Sequence, residues 1–123
     1  MKKIECSSTP QAIGPYSQAI MTDELIFVSG QLPIDASSGE MPEGIGQQTR
    51  CSLTNIKNIL ESAGSDMKKV VKTTVLLKDM NDFAQMNEVY AQFFEGVYPA
   101  RVCYEVSRLP KDASVEIECI AVK

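Results

Sequence analysis

Residues 45–77 decide the fold, because the hydrophobic period changes within them. Residues 45–64 read IGQQTRCSLTNIKNILESAG, and small or apolar side chains recur there at the spacing of one helix face: Ile45, Ser52, Leu53, Ile56, Ile59, Leu60 and Ala63. Gly64 stands where a left-handed residue commonly ends a helix. Residues 70–77, VVKTTVLL, alternate and are rich in β-branched side chains. The stretch therefore predicts a helix followed at once by a strand.

Four more segments have the composition of strands. Each combines apolar and β-favouring residues with turn residues at its ends: 17–21, 25–29, 100–106 and 114–122. Gly30 ends the second of these segments. Residues 33–46 contain three glycines and two prolines, which predicts an irregular excursion between strand and helix.

A second helix is predicted between the strands at 70–77 and 100–106. Asp79 or Asn81 can cap its start, and Tyr98-Pro99 stops it. Its apolar stripe is Phe83, Met86, Tyr90, Phe93 and Phe94. This order of elements predicts an α+β fold in which both helices cover one face of a mixed sheet. The uncovered face predicts association with further copies of the chain.

Composition limits the classes of function. A chain of 123 residues has room for one domain, spanning residues 1–123. Its formal net charge of -4 makes a nucleic-acid partner unlikely on electrostatic grounds, because phosphate binding draws on a basic surface. No apolar run is long enough to span a membrane, and residues 1–6 do not resemble a signal peptide. These features predict a cytoplasmic protein.

Histidine and cysteine narrow the chemistry further. The chain has no histidine, which excludes Ser–His and Cys–His nucleophilic pairs and every histidine metal site. Its four cysteines lack paired spacing, so we expect free thiols and no metal. Any catalysis would use arginine, carboxylates, hydroxyls and water.

Arg101 is the first candidate for ligand binding. It begins a predicted strand, and alternation puts it on one face with Cys103 and Glu105; the other face, of Val102, Tyr104 and Val106, is predicted to be core or interface. A guanidinium fork at a strand end suits bidentate capture of a small carboxylate. The alternative is a salt bridge between subunits.

Two glutamates of the last strand are the next candidates. Glu116 and Glu118 share one face, opposite Val115, Ile117 and Cys119. They form an exposed polar face, or one of them orients or deprotonates a water molecule. For Cys103, nothing in the sequence lowers the thiol pKa, so we expect a packing or pocket-lining thiol.

Several phrases resemble one known family. They occur in order and in register from about residue 4 to the end: IGPYSQA at 13–19, VSGQ at 28–31, PAR at 99–101, and LPKDA at 109–113 followed by VEIE at 115–118. Together they resemble the signature of the RidA/YjgF family. The chain departs from it at Val102, where the family often has serine or threonine.

The resemblance implies a chorismate-mutase-like sheet of about six strands and a homotrimer with ligand clefts between subunits. It implies hydrolysis of 2-aminoacrylate and 2-aminocrotonate, enamines released by PLP-dependent dehydratases, to 2-keto acids and ammonia, without a cofactor. Residue by residue, the resemblance implies that Arg101 corresponds to the family's carboxylate-binding arginine and that Glu116 corresponds to its water-handling glutamate. Further matches are to pocket positions: Tyr16, Ser29, Gly30, Asn87 and Cys103. Two alternatives stay open, an endoribonuclease that inhibits translation and a non-catalytic, ligand-sensing or chaperone-like trimer.

Overall fold

A six-stranded mixed β-sheet organises the chain, and the computed structural model describes all residues from 1 to 123. The strands are β1 (Lys2–Ile4), β2 (Ala19–Met21), β3 (Leu25–Gln31), β4 (Val70–Leu77), β5 (Ala100–Glu105) and β6 (Val115–Val122). They lie in the order β1-β2-β3-β6-β4-β5. Only the β4–β5 pair is parallel, and the other neighbours are antiparallel. The predicted α+β class is confirmed.

Two helices cover one face of this sheet. Helix α1 (Ile45–Ser62) matches the predicted helix, and Gly64 has the left-handed φ of 82° expected after its end. Helix α2 (Phe83–Ala91) carries the chain from β4 to the parallel strand β5, a connection that needs a crossover. Short 3₁₀ turns precede β4, α2 and β6. No helix has both the length and the apolar content to cross a membrane.

The prediction for the second helix was too long. Helix α2 ends at Ala91, and the amides of the next three residues bond three residues back, in tighter turns. Phe94 lies in these turns and still packs into the core at 8% exposure. The apolar stripe was therefore identified correctly, although its last residues are not α-helical.

Two further differences concern strands. β1 was not predicted, because it is only three residues long and two of them are lysines. β3 does not end at Gly30 but continues to Gln31 through a bulge. Val28 pairs with Cys119 and Gln31 with Ile117, so two residues of β3 face one residue of β6. The extra residue keeps Val28 and Gln31 buried on the same side of the sheet.

The hydrophobic core lies between the helices and the sheet. Helix α1 contributes Leu53, Ile56, Ile59 and Leu60, and alternate residues of β4 and β6 face them. Buried polar side chains of α1 hold the excursion after β3: Ser52 Oγ donates to the Gln31 carbonyl at 2.7 Å, and Asn55 Nδ2 donates to the Leu32 and Ile34 carbonyls. One helix thus anchors both the sheet and the loop beside it.

The other face of the sheet has no helix against it. Its large apolar side chains remain more than 40% exposed within the chain: Phe27, Val102, Tyr104 and Val122. Val102 and Tyr104, predicted to be core or interface, are therefore not part of the core of this chain. We call this helix-free surface the open face.

Leu53→Ala should lower the free energy of unfolding by about 2–5 kcal/mol, because it empties a site with 0% exposure in the middle of α1. Urea denaturation measures the change. Val97→Ala is the matched control: Val97 is 90% exposed, so its truncation should alter stability by no more than about 0.5 kcal/mol. Equal effects of the two variants would contradict the assigned core.

Candidate active site

Arg101 lies on the helix side of the edge strand β5 and contacts α2. Its Nη1 donates a 2.7 Å hydrogen bond to Asn87 Oδ1. Its guanidinium carbon lies 4.8 Å from the centre of the Tyr90 ring and 5.4 Å from that of Phe83. Both distances are within the range of cation–π attraction. An amide oxygen and two aromatic rings therefore hold the arginine.

No carboxylate of the chain pairs with Arg101. The ion pairs are Lys3–Glu5, Lys68–Glu95 and Arg108–Asp112. Arg101 instead borders an open cavity of about 340 Å³, together with Asn87, Tyr90, Ala91, Tyr98 and Pro99. A half-buried cation without an acidic partner beside a cavity suits an anionic ligand.

Cys103 follows Arg101 on the same side of β5 and is half-buried. Burial raises the pKa of its thiol, and the positive charge of Arg101 offsets part of that shift. Both the raised pKa and the absence of a nearby base argue against a nucleophilic role for this thiol. We call Asn87, Arg101 and Cys103, with the rings of Phe83 and Tyr90, the arginine cluster.

Glu116 lies on the opposite side of the sheet, on β6, and packs on Gly30 in the bulge of β3. A Cβ atom at position 30 would overlap Glu116 Oε1, so the absence of a side chain there makes room for the carboxylate. Burial raises the pKa of Glu116, and the negative charge of Glu118 raises it further. Both causes favour the protonated form over the charged form, as is common for carboxyls at functional sites.

Tyr16 and Ser29 are linked to this glutamate through Gly30, which Ser29 directly precedes in β3. Tyr16 is half-exposed and lines a cavity of about 250 Å³ that Gly30 and Lys111 also line. The Ser29 hydroxyl donates to the Ser17 carbonyl at 2.6 Å and fixes the loop that carries Tyr16. We call Tyr16, Ser29, Gly30 and Glu116 the glutamate cluster.

Buried Gln18 ties the same loop to the N-terminal segment. Its Oε1 accepts from the Cys6 amide at 2.7 Å, and its Nε2 donates to Thr9 Oγ1 and to the Pro10 carbonyl, each at 2.8 Å. Because buried donors and acceptors are costly to leave unpaired, this network fixes the entry to β2. Tyr16 is thereby presented from an ordered loop.

Arg101 and Glu116 do not meet within one chain. β4 separates their strands, which places the strands roughly 10 Å apart. The arginine side chain contacts the helices, whereas the glutamate alternates with buried Val115 and Ile117 and therefore faces the open side. The predicted residues thus form two clusters, one on each side of the sheet.

Phe83 and Tyr90 were missed as parts of the site, although both belong to the predicted apolar stripe of α2. Aromatic residues at helical spacing are typical of a core, and nothing in the sequence alone indicates that they lie under a guanidinium. The chain contains no group of three or more His, Cys, Asp or Glu side chains that could hold a metal ion, and its cysteines are free. Sheet, helices and clusters together define a small α+β protein with a candidate site for an anionic ligand.

Comparison with known proteins gives the family. The family model described as Endoribonuclease L-PSP matches residues 6–123. The 2-iminobutanoate/2-iminopropanoate deaminase of Bos taurus is 50% identical over 123 residues, covering 99% of this chain and 90% of that protein. The crystal structure of E. coli TdcF with bound serine is 45% identical with a TM-score of 0.97, covering 100% of this chain and 99% of that one. The E. coli YjgF gene product has the same identity, TM-score and coverage. The chain belongs to the RidA/YjgF family.

Glu118→Gln should lower the pKa of Glu116 toward its ordinary value, because it removes the negative charge that opposes ionisation of Glu116. Titration of the Glu116 carboxyl carbon by NMR measures this pKa. Glu61→Gln is the control: Glu61 is exposed at the end of α1, on the helix side, and should leave the titration unchanged. A Glu116 titration that is the same in wild type and Glu118→Gln would refute the charge contribution.

Proposed function

We propose that this protein hydrolyses 2-imino acids, formed by tautomerisation of 2-aminoacrylate and 2-aminocrotonate, to 2-keto acids and ammonia. The observation that carries the proposal is the guanidinium of Arg101, half-buried beside a cavity and without a carboxylate partner in the chain. The bovine relative is named for its action on 2-iminobutanoate and 2-iminopropanoate, and TdcF was crystallised with serine, a small amino acid. All three compounds carry the carboxylate that a guanidinium fork binds.

The reaction needs one water molecule and a proton relay. Water adds to the imine carbon C2, the nitrogen gains protons, and ammonia leaves as the C2–O bond becomes the keto group. We assign Arg101 to the substrate carboxylate and Glu116 to the water molecule. A carboxyl with a raised pKa suits this role, because it accepts a proton from water and returns one to the leaving nitrogen.

The remaining predicted residues have supporting roles in this proposal. Asn87 accepts from Arg101 and fixes one end of the guanidinium, which leaves its other N–H groups for a ligand. The half-exposed phenol of Tyr16 is available to hydrogen-bond substrate or water, whereas the Ser29 hydroxyl is engaged with the Ser17 carbonyl. Cys103 follows Arg101 on the same side of β5 and, with its raised pKa, is assigned no step of the reaction. Orientation and one proton relay each contribute several powers of ten to a rate, so no covalent intermediate is needed.

We further propose that the site forms between subunits of a homotrimer. Arg101 and Glu116 lie on opposite sides of the sheet, so a single chain presents each to a different neighbour. The exposed apolar residues of the open face supply the surface that such an assembly would bury. In a closed ring of three chains, each interface would join the arginine cluster of one chain to the glutamate cluster of the next.

We place the reaction in the cytosol, next to PLP-dependent dehydratases. These enzymes release enamines from serine and threonine, and the enamines are the substrates proposed here. The four free cysteines are compatible with a reducing compartment.

RNA cleavage is the second candidate activity, and the description of the matching family model as Endoribonuclease L-PSP is the observation in its favour. The net charge of -4 weakens any general attraction to phosphates. Incubation of labelled RNA with the same preparations decides between the activities: RNA cleavage that is lost in Glu116→Gln, without any effect on keto-acid release, would favour the nuclease.

Arg101→Lys should lower kcat/KM by about tenfold or more, because an ammonium keeps the charge but cannot form the planar two-point contact. Arg101→Ala should be slower still. Glu116→Gln should reduce kcat roughly a hundredfold and change KM little, since it removes the proton relay and leaves carboxylate binding intact. The assay couples threonine dehydratase and threonine to this protein and follows keto-acid release.

Arg50→Lys is the matched control for these variants. Arg50 is exposed on α1 and donates to Gln92, away from both clusters, so its replacement should leave the rate unchanged. Wild-type activity in Arg101→Ala would refute the mechanism. Wild-type activity in Glu116→Gln alone would transfer the water-handling role to another carboxylate. If the protein binds keto acid but does not accelerate keto-acid formation in the coupled assay, the ligand-sensing trimer is favoured.

Mixing two inactive variants should restore activity if the site lies between subunits. In trimers assembled from equal amounts of Arg101→Ala and Glu116→Gln, one interface in four would combine an intact arginine with an intact glutamate, so roughly a quarter of wild-type activity should return. Light scattering should give three times the chain mass of 13.5 kDa for every preparation. Monomers, or trimers without recovered activity, would refute the shared site.

A further inference from the structure

Tyr90 connects the guanidinium of Arg101 to the core of the sheet. Its ring lies below the guanidinium at 4.8 Å, and its hydroxyl oxygen is 2.7 Å from Thr73 Oγ1. Both residues are buried, at 5% and 1% exposure. Thr73 is itself the residue that pairs with Arg101 across the parallel strands β4 and β5. The hydrogen bond therefore fixes the ring relative to the strand position from which the arginine extends.

The Tyr90 ring and the Asn87 hydrogen bond together restrict the arginine more than either contact would by itself. The guanidinium carbon lies over the ring of Tyr90, and the hydrogen bond from Nη1 to Asn87 fixes a second point of the group. The remaining N–H groups have no acceptor in the chain, so they stay free for two-point contact with a carboxylate. An acidic partner would hold the group equally well, but it would occupy those donors and cancel the charge.

We propose that Tyr90 is a positioning residue for the Arg101 guanidinium, and that its hydrogen bond to Thr73 locks the ring in the orientation that aims the free N–H groups into the cavity. The proposal rests on the carboxylate-binding role of Arg101 in the proposed function. Tyr90 acts on the substrate carboxylate through the arginine, and its ring also borders the cavity. Burial raises the pKa of its phenol, so Tyr90 stays neutral and contributes only its ring and its hydrogen bond.

The first test separates carboxylate recognition from the shape of the cavity. Two probes are titrated into the assembled protein by calorimetry: 2-oxobutanoate, and 2-oxobutanamide, which has a neutral amide in place of the carboxylate. Tyr90→Leu should weaken binding of 2-oxobutanoate about tenfold and binding of the amide less than twofold, because the ring orients a contact that only the carboxylate makes. Tyr90→Phe keeps the ring but loses the hydrogen bond to Thr73, so it should weaken binding of 2-oxobutanoate by an intermediate factor, about threefold. Unchanged binding in this variant would overturn the role of that hydrogen bond. Thr73→Val should resemble Tyr90→Phe.

Phe93→Leu is the matched control. Phe93 follows α2 and lies 6.0 Å from the guanidinium carbon of Arg50, a contact of the same kind away from the cavity. Its loss should leave the ratio of the two affinities unchanged. A wild-type ratio in folded Tyr90→Leu would overturn the proposal, as would an equal loss of affinity for both probes. If the wild-type protein binds 2-oxobutanoate no better than 2-oxobutanamide, the carboxylate is not recognised. That outcome would refute the proposed role of Arg101 itself, and not only the role of Tyr90.

A second measurement needs no substitution. In the wild-type protein, NMR should find the side-chain N–H protons of Arg101 shifted upfield by the ring current of Tyr90. Arg108 supplies the internal reference, because it is exposed and paired with Asp112. Equal shifts for the two arginines would refute the stacking, even if Tyr90→Leu does not fold.

Discussion

Side chains alternate across a single sheet of which only one face is covered by helices, and the rest of the structure depends on this constraint. In β6, Val115 and Ile117 are completely buried against the helices, and Glu116 between them points to the other side. The same alternation in β5 directs Arg101 toward α2 and Val102 toward the open face. One layer therefore builds the core and distributes the candidate groups to two surfaces.

The surroundings of the two clusters affect the charge of their central residue differently. Arg101 keeps its charge among neutral neighbours, an amide oxygen and two aromatic rings, and is left able to attract an anion. Glu116 is half-buried near a second carboxylate, and both features work against its negative form. An anion and a proton are thus favoured at different places, which suits a reaction that holds a carboxylate at one point and moves a proton at another.

Sequence reasoning was most successful where a period persisted over many residues. The 18 residues of α1 and the 8 residues of β4 match their predicted segments, since each repeats one pattern and Gly64 ends the first. It failed where a contact between distant segments decides the outcome. The bulge at Ser29 and Gly30 depends on pairing with β6, and the end of α2 depends on how Phe94 reaches the core.

The separation of Arg101 from Glu116 also needed the structure. β5 is an edge strand with no fully buried residue, so its own pattern does not reveal which side faces the helices. In β6, the alternate buried residues show which side of the strand faces the helices. β5 offers no such indication, so the relative orientation of Arg101 and Glu116 cannot be assigned from the sequence. The candidate residues could therefore be named from the sequence, whereas their division between two surfaces could not be predicted from it.

The contact between Gly30 and Glu116 has a consequence for how this chain can evolve. Any side chain at position 30 would occupy the space of the Glu116 carboxylate, so a substitution of Gly30 would force that carboxylate to move. A larger residue at 30 would displace the carboxylate from its present location, whereas a shorter side chain at 116 is compatible with Gly30. The constraint therefore runs in one direction, from the acid at 116 to the residue at 30, although 85 residues lie between them in the sequence. A mutational route can alter the acid first and leave the glycine unchanged, whereas a route that begins at the glycine displaces the carboxylate.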